Sequence, residues 1–137
     1  GPLRKKLELQ TINYKLQTTF YGRAKDQREI AELINKSKIL VMPSYNEGGP
    51  RVVLEAMACG LPVLATNVGI VPDFADKNAV KIIDWEAEDI ARKTKELLEN
   101  GNEMNRLSRA GIEIVKQFEK KEMIRNYAEK LKFLINN

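Results

Sequence analysis

Two short apolar segments, joined by a glycine-rich turn and a helical stretch, most constrain the fold of this chain. The segments are residues 39–42 and 63–65, and each suits a strand that is buried in a parallel sheet. Gly48 and Gly49 follow the first segment, and Gly60 precedes the second. Together they predict a strand, a glycine turn, a short helix that ends at a glycine, and a second parallel strand.

The rest of the chain continues this alternation, which predicts an α/β fold. Helical patterns cover residues 3–13, 27–35, 71–75, 86–99, 102–118 and 120–135, and strand patterns cover 18–21, 39–42, 63–65 and 80–83. Four strands separated by helical segments imply one parallel sheet with right-handed crossovers. A length of 137 residues and a hydrophobic fraction of 43% suit a single globular core.

The glycine turn has the chemistry of an anion site. In open α/β sheets, ligands bind at the carboxyl ends of the strands, and this turn follows such an end. Gly48 and Gly49 have no side chains, so a ligand can approach the backbone closely. Pro50 suits the first helical position. The free N–H groups of the first helical turn, with the charge of Arg51 beside them, then favour a phosphate.

Two glutamates stand on either side of this phosphate site. Glu47 precedes the helix and Glu55 follows eight positions later, inside it. Helical side chains lean toward the helix N-terminus, so the carboxylate of Glu55 is expected to reach a ribose diol, and that of Glu47 a sugar hydroxyl. Phosphate donors between two diol acceptors predict a site for a nucleotide sugar. The alternative is that Glu55 is a solvated residue paired with Arg51.

Residues 41–69 resemble the donor-binding signature of retaining glycosyltransferases of the group 1 (family 4) type, which have the GT-B fold. The family carries two Glu separated by seven residues, then Ala-Met-Ala-x-Gly-x-Pro-Val, as residues 47–63 do. The resemblance implies a catalytic contact of Glu47 with the donor sugar and a contact of Glu55 with the ribose. It also implies that backbone amides hold the diphosphate. Those amides belong to Gly48, Gly49, Arg51 and Val52.

Two further segments extend the resemblance. Gly22, Arg23 and Ala24 correspond to a loop that lines the nucleobase pocket in relatives. Residues 66–73 resemble the family's Thr-Asp-Val-Gly-Gly-Ile-Pro-Glu, with Ile70 in place of a glycine. The resemblance therefore implies a Rossmann-like parallel sheet with helices on both faces and a UDP- or GDP-sugar donor.

The resemblance covers most of the second of the two domains of a GT-B enzyme. It implies that residues 1–137 form a partial C-terminal nucleotide-sugar-binding domain, without the N-terminal acceptor domain and the first βαβ portion. Residues 1–8 resemble the family's Gly-x-Gly-Pro-Leu-Arg segment, although Gly1 and Pro2 also match the scar of a protease cleavage. We expect the fragment to be inactive by itself.

The full-length protein is expected to transfer a hexosyl group with retention of anomeric configuration, in polysaccharide biosynthesis. Its acceptor is expected to be a carbohydrate or a lipid-linked molecule, bound by the N-terminal domain. Two alternatives remain. One is another GT-B enzyme, either a nucleotide-sugar epimerase or a phosphorylase, and the other is a non-enzymatic Rossmann-like interaction module.

Composition argues against several other classes. The chain has no histidine, and no Asp, Glu or Cys cluster has the spacing of metal ligands, so neither a metal nor a cofactor is expected. Cys59 is the only cysteine, which precludes an internal disulfide and suits a cytoplasmic protein. The net charge of +4 comes with 7% aromatic residues and no groove-binding motif, which argues against nucleic acid.

The C-terminal segment, residues 116–132, is basic. A solvated helix face is the favoured interpretation of this charge. Since some transferases of the resembled class use lipid-linked acceptors, peripheral association with anionic lipid at the inner face of the membrane is the alternative.

Overall fold

The computed structural model describes residues 2–119 together with Ile124, Arg125 and Glu129. In chain order its elements are α1 (Arg4–Asn13), α2 (Gln27–Asn35), β1 (Leu40–Met42), α3 (Arg51–Ala58), β2 (Val63–Thr66), α4 (Val71–Asp76), β3 (Val80–Ile83), α5 (Ala87–Glu99) and α6 (Gly101–Lys116). Within the described residues the strands form one parallel sheet in the order β1-β2-β3. The predicted α/β class with a parallel sheet is confirmed.

The predicted strand at residues 18–21 is wrong, because the structure leaves this segment irregular. A strand needs a neighbour with which to exchange backbone hydrogen bonds, and in the described part of the chain no strand pairs with this segment. The carbonyl oxygen of Phe20 instead accepts a hydrogen bond from the guanidinium of Arg4 at 3.5 Å. The described sheet therefore has three strands and not four.

The observed helix bounds agree with the predicted bounds to within one or two residues. One difference, at the start of α3, is informative. Helix α3 begins at Arg51, so Pro50 is the residue before the helix and not its first residue. The φ of Pro50 is −69°, which suits a helix, but its ψ of 99° is extended. The proline ring restricts φ alone, so the turn out of the glycine loop decides ψ. The predicted helix at 120–135 lies largely outside the described residues.

Helices cover both faces of the sheet, as predicted. Successive side chains of a strand point to opposite faces. Ala65 of β2 accordingly packs with Met57 of α3 and Phe74 of α4, whereas its neighbour Leu64 packs with Leu97 of α5. Helix α6 contributes to both clusters.

The core fixes the orientation of α3, the helix that carries the candidate site. Val53, Ala56 and Met57 are almost completely buried. Each large apolar side chain contributes about 1.5–3 kcal/mol by burial. Gly111 lets α6 lie directly on α3, because a Cβ there would stand 3.1 Å from the Cγ of Met57. With this face of α3 buried, Arg51 and Glu55 fall outside the fully buried set.

Candidate functional site

The loops that follow the three strands are tied together at a single backbone carbonyl. Ser44 follows β1, and its carbonyl oxygen accepts a hydrogen bond from the Thr66 hydroxyl at the end of β2, at 2.6 Å. The same oxygen accepts a second hydrogen bond, at 3.1 Å, from the indole N–H of Trp85, which follows β3. The carboxyl edge of the sheet is therefore one connected surface, as expected for the ligand-binding edge of an α/β fold.

The turn after β2 lies against the loop that carries Glu47. Gly69 has a φ of +56°, in the left-handed region that favours glycine. A Cβ at Gly69 would overlap the carbonyl oxygen of Glu47 and would stand 2.8 Å from that of Gly48. The turn after β2 therefore supports the predicted phosphate loop from beneath.

The start of α3 presents free backbone donors. The helix has no side-chain cap, and within the described residues the N–H groups of Arg51 and Val52 have no hydrogen-bond acceptor. Nothing lies within 4 Å of the positions that a Cβ would take on Gly48 or Gly49, so the space above the loop is open. The helix dipole places about half a positive charge at this end.

The two predicted carboxylates are both free to accept hydrogen bonds. Glu47 is exposed and Glu55 is half-buried. In the part of the chain that the structure describes, neither carboxylate makes an ion pair. The alternative pairing of Glu55 with Arg51 is therefore not observed, and the exposed guanidinium of Arg51 stays available to a ligand.

The predicted nucleobase residues lie in the irregular segment before α2. Gly22, with a φ of +84°, borders an apolar cavity of ≈ 600 Å³ that Leu7 and Phe20 also line. Arg23 and Ala24 do not line that cavity. Among the described residues no backbone hydrogen bond joins this loop to the α3 site, so its role stays a prediction.

Comparisons with known proteins show the family of this chain. The chain matches the family described as "Glycosyl transferases group 1" over residues 1–114. It belongs to this family. The uncharacterized glycosyltransferase MJ1178 of Methanocaldococcus jannaschii is 34% identical over 127 residues, which cover 86% of this chain and 34% of MJ1178. The D-inositol 3-phosphate glycosyltransferase of Streptomyces bingchenggensis is 50% identical over 46 residues, which cover 34% of this chain and 10% of that protein.

Solved structures place the group 1 chain in a known fold. Sucrose-phosphate synthase from Thermosynechococcus elongatus superposes with a TM-score of 0.80 at 27% identity, over 98% of this chain and 35% of that one. The C-terminal domain of a group 1 family protein (LpcC) from Francisella tularensis gives 0.73 at 26%, over 85% and 62%. Anabaena Alr3699/HepE in complex with UDP gives 0.81 at 22%, over 93% and 36%. The fold is that of the Rossmann-like C-terminal domain of GT-B proteins.

The group 1 domain also has an aromatic pair at the site that the sequence did not reveal. The rings of Tyr45 and Trp85 are parallel to within 1°, with their centroids 5.6 Å apart. Tyr45 lies three residues after β1 and Trp85 two residues after β3, and the ends of parallel strands meet at one edge. That shared position is the only signal that could have brought together residues 40 positions apart in the sequence.

An ion-pair network orders the loop that carries Trp85. The Asp89 carboxylate accepts the backbone N–H of Asp84 at 2.8 Å and pairs with Lys93 and Arg92. The hydrogen bond from Asp84, followed by those from Lys93 and Arg92, lowers the pKa of Asp89 to about 2. The Asp89 carboxylate is thus ionised at neutral pH and holds the start of the loop between β3 and α5.

Two kinds of feature are absent from the described residues of the group 1 domain. Among the described residues, no helix combines the length and apolar character that crossing a membrane requires. Within the same residues, no three acidic or cysteine side chains are grouped as metal ligands would be. That the predicted donor site needs no metal ion stays a prediction.

Proposed function

We propose that this chain provides most of the donor site of a retaining glycosyltransferase of the family 4 type. The observation that carries the proposal is the start of α3, where the N–H groups of Arg51 and Val52 have no acceptor among the described residues and the space at Gly48 and Gly49 is open. Glu47 and Glu55, which flank this start in the sequence, make no ion pair within the same residues. A nucleotide sugar has the matching order of groups: a ribose diol, a diphosphate and a sugar with hydroxyls.

In this proposal each group of the donor has its own contact. The diphosphate is held by the amides of Gly48, Gly49, Arg51 and Val52, aided by the helix dipole and the Arg51 guanidinium. Glu55 accepts hydrogen bonds from the ribose. The nucleoside diphosphate is UDP or GDP, and its base is bound near Gly22, Arg23 and Ala24.

The proposed chemistry depends on charge stabilisation at the leaving group. The bond from the sugar C1 to the diphosphate oxygen breaks, and its electron pair passes to that oxygen. The helix N-terminus and Arg51 stabilise the developing charge. The acceptor hydroxyl forms its bond to C1 on the same face and gives its proton to the departing phosphate oxygen, so the anomeric configuration is retained. Glu47, the proposed catalytic residue, binds a donor-sugar hydroxyl during this step, and no metal is needed.

The activity of the whole protein is part of the proposal, because this chain spans about a third of MJ1178 and a tenth of the inositol-phosphate enzyme. Two structural neighbours support the donor class. One Anabaena structure contains UDP, and another of the same protein contains UDP and glucose. The transferred group is proposed to be hexosyl, and the acceptor a carbohydrate or a lipid-linked molecule bound by other parts of the protein. A role in polysaccharide biosynthesis, in the cytoplasm or at the inner membrane face, belongs to the same proposal.

The test is calorimetric titration of the protein that carries this chain with UDP, GDP and their glucose and mannose derivatives. We expect one nucleotide to bind, and Glu55→Ala to weaken it about tenfold or more, as for loss of a hydrogen bond to a charged group. Glu88→Ala is the matched control, since Glu88 is an exposed helical glutamate of α5. It should leave the affinity unchanged.

Turnover separates the remaining alternatives. Glu47→Gln should keep the affinity for the nucleoside diphosphate but lose transfer, and chelation of metals should change neither property. Nuclear magnetic resonance of the product reports whether the anomeric configuration is retained. Failure of the folded protein to bind any nucleotide would contradict the proposal and favour the interaction module, whereas a sugar phosphate formed from inorganic phosphate would identify a phosphorylase.

A further inference from the structure

The segment between Ser44 and Pro50 lacks a backbone scaffold of its own. In the described part of the chain, residues 45–49 donate and accept no backbone hydrogen bonds, and all five are exposed. The position of Glu47 therefore depends on contacts that other loops make with this segment. One of these is the packing of Gly69 beneath Glu47, and the other lies at Ser44 and Tyr45.

Trp85 makes two contacts at that end, in addition to the hydrogen bond from the Thr66 hydroxyl to Ser44. Its indole N–H donates to the carbonyl oxygen of Ser44, three residues before Glu47, at 3.1 Å. Its ring stacks on Tyr45, which is 80% exposed with Trp85 in place. These contacts reach from the loop after β3 to the loop after β1, across the end of the intervening strand β2.

The loop of Trp85 is bonded to a packed helix, α5, whereas residues 45–49 have no backbone hydrogen bonds in the described part of the chain. The preceding residue, Asp84, donates its backbone N–H to the carboxylate of Asp89, which also pairs with Lys93 on α5. Helix α5 in turn packs on the sheet through the fully buried Leu97. A hydrogen bond and a stacked ring on such a base restrain the segment of residues 45–49 more than they restrain Trp85.

We propose that Trp85 is a positioning residue, which holds residues 45–49 in the conformation that binds the donor. The expected effect on donor binding rests on the proposed function, whereas the restraint of residues 45–49 by Trp85 does not. When the binding-competent conformation is populated for only a fraction of the time, the apparent affinity falls by that fraction. Loss of Trp85 should therefore raise the KM for the donor and leave kcat nearly unchanged, because the bound loop regains the same geometry.

Three variants separate the two contacts. Trp85→Phe keeps an aromatic ring for Tyr45 but removes the N–H donor, and Trp85→Leu removes both contacts. Tyr14→Leu is the matched control, because Tyr14 is also an exposed aromatic residue but lies at the end of α1. Order parameters of the backbone amides of residues 45–49 are measured by nuclear magnetic resonance relaxation without ligand, in the protein that carries this chain, and nucleotide affinity is measured by calorimetry.

We expect the order parameters of residues 45–49 to fall from about 0.85, the value of a rigid backbone, to about 0.6 in Trp85→Leu, with Trp85→Phe intermediate and Tyr14→Leu unchanged. The affinity for the nucleotide sugar should fall in the same order. Trp85 is the single tryptophan of the chain. Its fluorescence in the wild-type chain should therefore change as the nucleotide binds, with the same dependence on ligand concentration as the calorimetric signal.

The two proposals fail in different ways. Unaltered order parameters of residues 45–49 in Trp85→Leu would overturn the positioning role, whatever the nucleotide affinity. A kcat that falls as far as kcat/KM would overturn it as well, because the effect would then lie in the chemical step. Absence of nucleotide binding to the wild-type protein would overturn the proposed function, while the order parameters would still decide whether Trp85 restrains the loop.

Discussion

Gly69 leaves no room for a side chain beneath the carbonyl oxygen of Glu47. The two residues lie in turns after neighbouring strands, and a Cβ at Gly69 would overlap that oxygen and crowd the next carbonyl, that of Gly48, at 2.8 Å. The φ of +56° at Gly69 also favours glycine, because this left-handed region is unfavourable for a residue that has a Cβ. The position of the predicted sugar-binding carboxylate thus depends on a glycine in a different loop.

Gly69→Ala should therefore damage both stability and binding. A left-handed φ costs a residue with a Cβ about 1–2 kcal/mol, and relief of the overlap requires the loop of Glu47 to move. We expect the free energy of unfolding in urea to fall by about 1–3 kcal/mol, with a weaker affinity for the nucleotide. Gly101→Ala is the control, because Gly101 has open space around it.

The control should be neutral or slightly stabilising, by about 0.4–1 kcal/mol, since alanine restricts the unfolded chain. Equal effects of the two substitutions would show that the contact between Gly69 and Glu47 contributes neither to stability nor to nucleotide affinity.

Thr66 and Trp85 should be energetically coupled, because both donate to the carbonyl oxygen of Ser44. Thr66→Val keeps the shape of the buried side chain and should cost about 1 kcal/mol of unfolding free energy. The double variant with Trp85→Phe leaves the carbonyl without a protein donor. We expect it to lose at least about 0.5 kcal/mol more than the sum of the single variants.

A double-mutant cycle in urea measures this coupling, and Thr66→Ser serves as the variant that retains the hydroxyl. Should the losses add to within about 0.3 kcal/mol, the two donors would be independent and the shared carbonyl would not connect the loops energetically.

Asp89 should make stability depend on pH in the acid range. Its pKa is lowered in the folded protein to about 2 from an ordinary value of 3.8, so the folded state favours the ionised form. This contribution is fully present above the unfolded pKa and is lost as the pH falls through the folded pKa. The melting temperature of wild type should fall more steeply from pH 4 to pH 2 than that of Asp89→Asn.

Glu88→Gln, on the same turn of α5, should retain the wild-type slope of melting temperature against pH. Parallel slopes for wild type and Asp89→Asn would show that the network around Asp89 does not contribute to folding stability. The loop that carries Trp85 would then need another source of order.

Local sequence was sufficient for most elements, including the helix that carries the predicted site. Helix α2 and strand β3 have the predicted bounds because their apolar periodicity and their end signals are contained in short segments. The glycine turn before α3 was also predictable, since two glycines, a proline and a following helix act through near neighbours. The binding roles of Glu47 and Glu55, which flank that helical start in the sequence, stay predictions.

The remaining features depend on which segments become neighbours in space. Residues 18–21 have a strand pattern but no strand beside them among the described residues, so the pattern alone was misleading. The stacking of Tyr45 on Trp85 and the packing of Gly69 under Glu47 join loops that are distant in the sequence. The order and register of parallel strands set these encounters, and both depend on the packed core as a whole. Sequence therefore determined which groups are available to bind a ligand, whereas the tertiary structure decided how the loop that presents them is held.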